Sequence, residues 1–241
     1  MIAESEPPIA PRPEGVTMVL NTAAQYKESS IETLENHVGV QVREETYDAK
    51  ANKALVKLYQ FSPHRCRPEI LELVFAKAMM ARPKADMSAI LCICPHKLAD
   101  STPLLRRLGK CEQLVETSRF ADFWEHARDI EVPGFAPHLR RFILGLLSQT
   151  FCTAPIDLVA RALGIAVDDA RALAAAPTPS SPLLPSTDPD VATFKPNPKN
   201  QPRQQRFSNP VHLDTLLSLF SNENNVFRAA TTTKHHPQEA G

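Results

Sequence analysis

Cys92-Ile93-Cys94-Pro95-His96 is the stretch whose residue types come nearest to chemistry, because two thiols and an imidazole within five positions invite a metal. Structural zinc takes four ligands with deprotonated thiolates, most often from two CxxC-type pairs. No second pair stands at suitable spacing, and residues two apart on a helix face different ways. Buried structural cysteines are therefore the expected reading, since free Cys is among the most buried residue types. Cysteine catalysis needs a low-pKa thiolate beside a positioned base, and neither Cys66, Cys111 nor Cys152 sits in a motif of that kind. His235-His236 falls in a polar tail. With seven glycines in the chain and no GxxxxGK[ST] or GxGxxG run, no phosphate cradle is present in the sequence. The expectation is a protein that is not an enzyme and carries no catalytic residue, metal or cofactor.

Two charged stretches bear on nucleic acid. Lys195, Lys199, Arg203 and Arg206 lie in a segment without acidic residues, which offers either a weak, sequence-blind contact with RNA or a solvated linker. No aromatic residue is interleaved before Phe207, so base stacking is poorly supported. The segment from Val167 to Ala176 holds the place where a helix-turn-helix protein reads DNA. Its first turn carries Asp168 and Asp169 against a single Arg171, and carboxylates there repel phosphate. A protein contact is the better expectation. Lys+Arg and Asp+Glu both number 27, so the overall field does not hold the chain to nucleic acid or to an anionic membrane.

The elements that must position these residues are helices. In residues 47–63, YDAKANKALVKLYQFSP, the apolar positions Ala51, Ala54, Leu55, Leu58 and Tyr59 follow i, i+3, i+4, i+7, i+8, one face of a helix. Lys50, Asn52, Lys53, Lys57 and Gln60 are expected on the other face. Asp48 can cap the start, and Ser62-Pro63 ends it. Upstream, Ser29 and Glu32 read as a capping box for a helix to about Glu45, with Ile31, Leu34, Val38 and Val42 inward. Gly39 inside it implies a packing contact or a bend. Downstream, Pro68 opens a helix with Ile70, Leu71, Val74, Phe75 and Ala78 inward, and Pro83 breaks it. Further helices follow over 86–94, from Ser101 (interrupted at Gly109) and over 119–130, until Pro133-Gly134.

After Gly134 come helices over about 137–152, from Ala154-Pro155 to Gly164, and over 167–176. That is the front half of a winged helix or a plain bundle. A winged helix should continue into a hairpin, yet 177–189 (PTPSSPLLPSTDP) is poor in strand formers, and Pro cannot donate to a ladder. Only Val191 to Phe194 reads as a strand, expected at a sheet edge. A basic Pro-rich linker leads to a last helix with Leu213, Leu216, Leu217 and Phe220 on one face, able to join helices of a partner. The five cysteines are odd in number and irregular in spacing, no apolar leader precedes them, and no run reaches the ~18 residues that cross a bilayer. Reduced thiols in the cytoplasm, with some nuclear presence, are expected.

The wording of several stretches goes further. Residues 47–63 are joined by Leu114-Val115-Glu116-Thr117 with Phe120 and Phe123-Trp124, by Gly134-Phe135 with Arg141-Phe142-Ile143 and Leu163-Gly164, and by Lys195-Pro196 with Lys199-Asn200. Together, over roughly residues 25–220, they resemble the subunit-k family of eukaryotic translation initiation factor 3, which shares its architecture with small subunits of the proteasome lid and the signalosome. The resemblance implies a mainly α fold: an N-terminal HEAT-like helical stack, then a C-terminal winged helix (PCI-like) and a final helix. On this chain that places tails at 1–15 and 222–241, the stack at 16–134, the winged helix with a Pro-rich wing insert at 135–207, and the final helix at 208–221. It implies a non-catalytic scaffold of the initiation factor, beside subunit l, meeting the small ribosomal subunit through the complex. Val191, Phe194 and the Leu213 to Phe220 stripe are the expected docking residues. The Pro/Ser-rich 177–189 departs from the family, and Pro95 falls where the family reads as continuous helix. A lid or signalosome subunit and a free-standing nucleic-acid-binding winged helix are the competing readings.

Overall fold

The computed structural model describes residues 12–84, 86–201 and 217. Residues up to Gln201 fall in one compact unit. The architecture is mainly helical: α1 Glu14–Asn21, α2 Ile31–Arg43, α3 Ala49–Phe61, α4 Pro68–Met80, α5 Asp86–Ile93, α6 His96–Ala99, α7 Pro103–Glu116, α8 Phe120–Ala127 and α9 Phe135–Thr150. There follow β1 Thr153–Pro155, α10 Ile156–Leu163, α11 Val167–Ala175, β2 Leu183–Leu184 and β3 Val191–Phe194.

Prolines and caps set most boundaries. Asp48 stands in extended backbone and accepts from the Ala51 N–H, capping α3. Thr102 does the same for α7 through Leu105. Pro68 and Pro103 occupy first turns, where a missing N–H costs nothing. Gly164 closes α10 in the left-handed region, with the Ile165 N–H returning to the Ala160 carbonyl. Other expected signals are not realised. The Ser29/Glu32 capping box does not form: Ser30 precedes α2, and its hydroxyl donates to the Ala24 carbonyl. Gly109 does not interrupt α7, which runs unbroken to Glu116. Gly39 has no packing reason, since a Cβ there would meet nothing within 4 Å. Helical order also starts at Glu14 rather than after residue 15, because Arg12 is already tied to Asp48 at 2.6 Å.

The centre of the molecule is α4, which touches α2, α3, α5, α7 and α9. Leu71, Val74, Phe75, Ala76, Ala78 and Met79 are fully buried, so this helix is apolar nearly all round, as a helix enclosed by others must be. Lys77 lies among them at 2% exposure.

The seam between α2 and α3 is polar and buried. Gln41 and Asn52 exchange two amide hydrogen bonds at 2.9 and 3.0 Å, and Gln41 Oε1 also accepts from the Asp48 N–H. Tyr59 donates to Glu35 at 2.7 Å. Asn52 is therefore on the buried face of α3, not the solvent face. An amide is tolerated there because its partner is equally buried and the oxygen and nitrogen of each amide are paired with the other.

The second half runs helix, strand, helix, helix, strand, strand. The sheet order is β1-β3-β2, antiparallel throughout, with Ala154 opposite Ala192 and Leu183 opposite Phe194. Val191–Phe194 is thus the central strand, correcting the expectation of an edge. The Pro/Ser-rich stretch supplies a neighbour because only Leu183 and Leu184 need ladder geometry. Pro182 still takes part as an acceptor, receiving the Lys195 N–H at 2.8 Å. Pro155 sits in an edge strand, where its missing donor is harmless.

Candidate interaction surfaces

Among the described residues no three His, Cys, Asp or Glu side chains converge as a metal site would require. The five cysteines are free thiols. Cys94 and Cys111 are buried, Cys66 is half-buried, and Cys92 and Cys152 are exposed, so Cys92 is not the core thiol expected. Burial pushes the Cys66 and Cys111 thiols up to about 12 and Cys94 to about 11, the reverse of what a nucleophile needs. His235-His236 lies outside the described residues.

The expected RNA-contact lysines are engaged within the chain. Lys195 Nζ donates to the carbonyls of Pro179 and Ser181 at 3.2 and 2.6 Å, tethering the β2 approach to β3. Lys199 Nζ donates to Gln149 Oε1 at 2.8 Å. Neighbouring Asn200 donates to the Ser148 carbonyl and Asn197 does likewise, so Lys195 to Asn200 works as a clasp on the end of α9. Arg203 and Arg206 lie outside the described residues. In α11, Arg171 is held by Asp168 at 3.0 Å and Asp190 at 3.1 Å. The first turn therefore presents carboxylates, with Arg171 already paired.

Of the expected docking residues, Phe194 is 2% exposed and packs in the core, where no partner reaches it. Val191 is half-buried. Leu217 is helical and 57% exposed; Leu213, Leu216 and Phe220 lie outside the described residues.

A junction missed in the sequence joins the two halves. The Trp124 indole of α8 donates to the Ala162 carbonyl of α10 at 2.8 Å. Arg140 of α9 lies over the Trp124 ring at 5.0 Å and donates to the carbonyls of Leu163 and Gly164. A Cβ at Gly164 would stand 2.4 Å from the indole. Phe123-Trp124 and Leu163-Gly164, far apart in sequence, are thus the two sides of one contact. Their residue types are set by packing.

The family model described as the CSN8/PSMD8/EIF3K family matches residues 65–177, from the turn before α4 to the end of α11. A Danio rerio protein named eukaryotic translation initiation factor 3 subunit K is 30% identical over 158 residues, 64% of this chain and 72% of that protein. This chain belongs to the CSN8/PSMD8/EIF3K family. Proteins of the same name from Drosophila erecta and Dictyostelium discoideum are 30% and 31% identical, over 61% and 59% of this chain and 68% and 59% of their own lengths. The family match spans α4, the α8–α10 junction and α11.

Proposed function

We propose that this chain is a non-catalytic scaffold subunit of translation initiation factor 3, in the position of subunit k. The similarity to relatives of that name carries the reading. The geometry is in keeping with it where Lys195, Lys199 and Arg171 are bonded within the chain. Residues 16–134 serve as a HEAT-like stack, and α9, β1, α10, α11, β2 and β3 follow the element order of a PCI-like winged helix. Its third helix, acidic in its first turn, faces protein rather than nucleic acid. Since β3 is central, the edges open to a neighbour are β1 and β2, and docking on subunit l uses them with Val191 at their margin. Leu213, Leu216, Leu217 and Phe220 form a second docking element. The small ribosomal subunit is met through the complex, in the cytoplasm with a nuclear fraction, and direct contact with RNA is weak or absent. No helix among the described residues is long and apolar enough to cross a membrane.

The test is purification of the tagged chain under gentle conditions with mass spectrometry of what accompanies it. The expected companions are initiation factor 3 subunits, with subunit l crosslinked to the β1–β3 sheet or α11. Recovery with proteasome-lid or signalosome subunits would keep the fold and overturn the function.

A further inference from the structure

Five large apolar side chains stand markedly open among the described residues, and three share the N-terminal flank. Met18, Tyr26 and Phe61 are 61%, 54% and 59% exposed. Met18 lies on α1, one turn before Asn21, whose side-chain oxygen accepts from Lys50 Nζ at 3.3 Å. Tyr26 follows in the short turn Ala23–Tyr26, with Lys57 Nζ 5.0 Å from its ring centroid. Phe61 is one turn beyond Lys57 on α3. Lys50, Ala54, Lys57 and Phe61 therefore run along the outer side of α3 at i, i+4, i+7, i+11, with the α1 edge beside them.

The charges on this strip are lopsided. Among the described residues neither Lys50 nor Lys57 has a carboxylate partner. Lys53 is bonded to Asp86, and Glu28 at the Phe61 end is engaged by Ser62, His64 and Arg65. Glu14, one turn before Met18, is the acid at the other end. The length from Lys50 to Phe61 is about 16 Å, three helical turns. We infer that this face docks a short amphipathic helix of a protein partner, with apolar residues seated on Met18, Tyr26 and Phe61 and carboxylates over Lys50 and Lys57. Exposed apolar anchors flanked by unpaired charge of one sign are what such a segment recognises. A nucleic-acid strand fits less well: one face of Tyr26 is covered by Lys57, and two ammonium groups without carboxylate partners are few for tracking a phosphate backbone.

The probe is a synthetic helix of about 15 residues, leucine on one face and glutamate at its flanks, with a second version carrying lysine in place of glutamate. Binding to the full chain is read by fluorescence anisotropy. The glutamate peptide should bind the unaltered chain at least about tenfold more tightly than the lysine peptide. The doubly reversed Lys50→Glu, Lys57→Glu chain should invert that preference, and Met18→Ser with Phe61→Ser should weaken both. Met18, Lys50 and Phe61 are exposed and Lys57 is half-buried, and circular dichroism checks that the variants fold. Equal affinity for the two peptides, or a preference unmoved by charge reversal, overturns the inference. So does binding of oligouridylate or phosphatidylserine vesicles through the same residues without binding of the peptide.

Discussion

Asp48 shows how much of this sequence is spent on holding itself together. Its carboxylate caps α3, pairs with Arg12 at 2.6 Å and accepts from His37 at 3.2 Å. Burial alone would raise the carboxyl; the bonds from Arg12, His37 and the Ala51 N–H outweigh burial and hold it well below the usual carboxylate range. A group depressed in the folded state adds stability that is present above its unfolded pKa, about 4, and is lost as pH falls below that. Asp48→Asn should therefore cost about 2 kcal/mol at pH 7 and progressively less as pH falls below about 4. Urea unfolding at both ends of that range checks it; an equal cost at both would mean the charge is not what matters. The capping role was legible, since Asp before a periodic apolar run is a local signal. The partnership with Arg12 and His37 was not, because it joins residues 36 and 11 positions away. Asn52 was misplaced for the same reason: its type reads as solvent-facing until Gln41 is found opposite it.

At the scale of elements, glycine separates packing from propensity. Gly164 has φ +59 and a Trp124 ring where its Cβ would stand, while Gly109 sits mid-helix with nothing within 4 Å. Gly164→Ala should destabilise by about 2–4 kcal/mol through clash and strain. Gly109→Ala should stabilise by about 1 kcal/mol through helix propensity. Thermal unfolding of both variants checks the pair, and a harmless Gly164→Ala would remove the α8–α10 junction from the account. Helix positions were readable because prolines, caps and 3.6-residue periodicity are local. The sheet was not: β2 is two residues long, and the central position of β3 depends on Thr153–Pro155, nearly forty positions earlier. The importance of α4 was also muted, since a helix buried on every side shows little periodic contrast.

For the whole molecule, the described residues up to Gln201 fall in one unit in which several charged groups are tied to one another. Arg82 bridges Glu112 and Glu116 and lies 5.5 Å from the Phe142 ring, joining the turn after α4 to α7 and α9. Lys195 and Lys199, which read as a basic stretch, are ties to neighbouring carbonyl and amide oxygens. A charge run in sequence does not show what it faces, so the partners of Lys195 and Lys199 were not legible there. Among the described residues that face outward are the acidic start of α11 and the N-terminal strip with Met18, Tyr26 and Phe61.

The most direct measurement is sedimentation of the tagged chain from cell extract through a density gradient, with and without crosslinking. The account predicts that the chain travels with initiation factor 3 subunits, and that crosslinking moves a share of it to the small ribosomal subunit. A chain that stays at the top as a light, solitary species, or sediments with the proteasome lid, would contradict it.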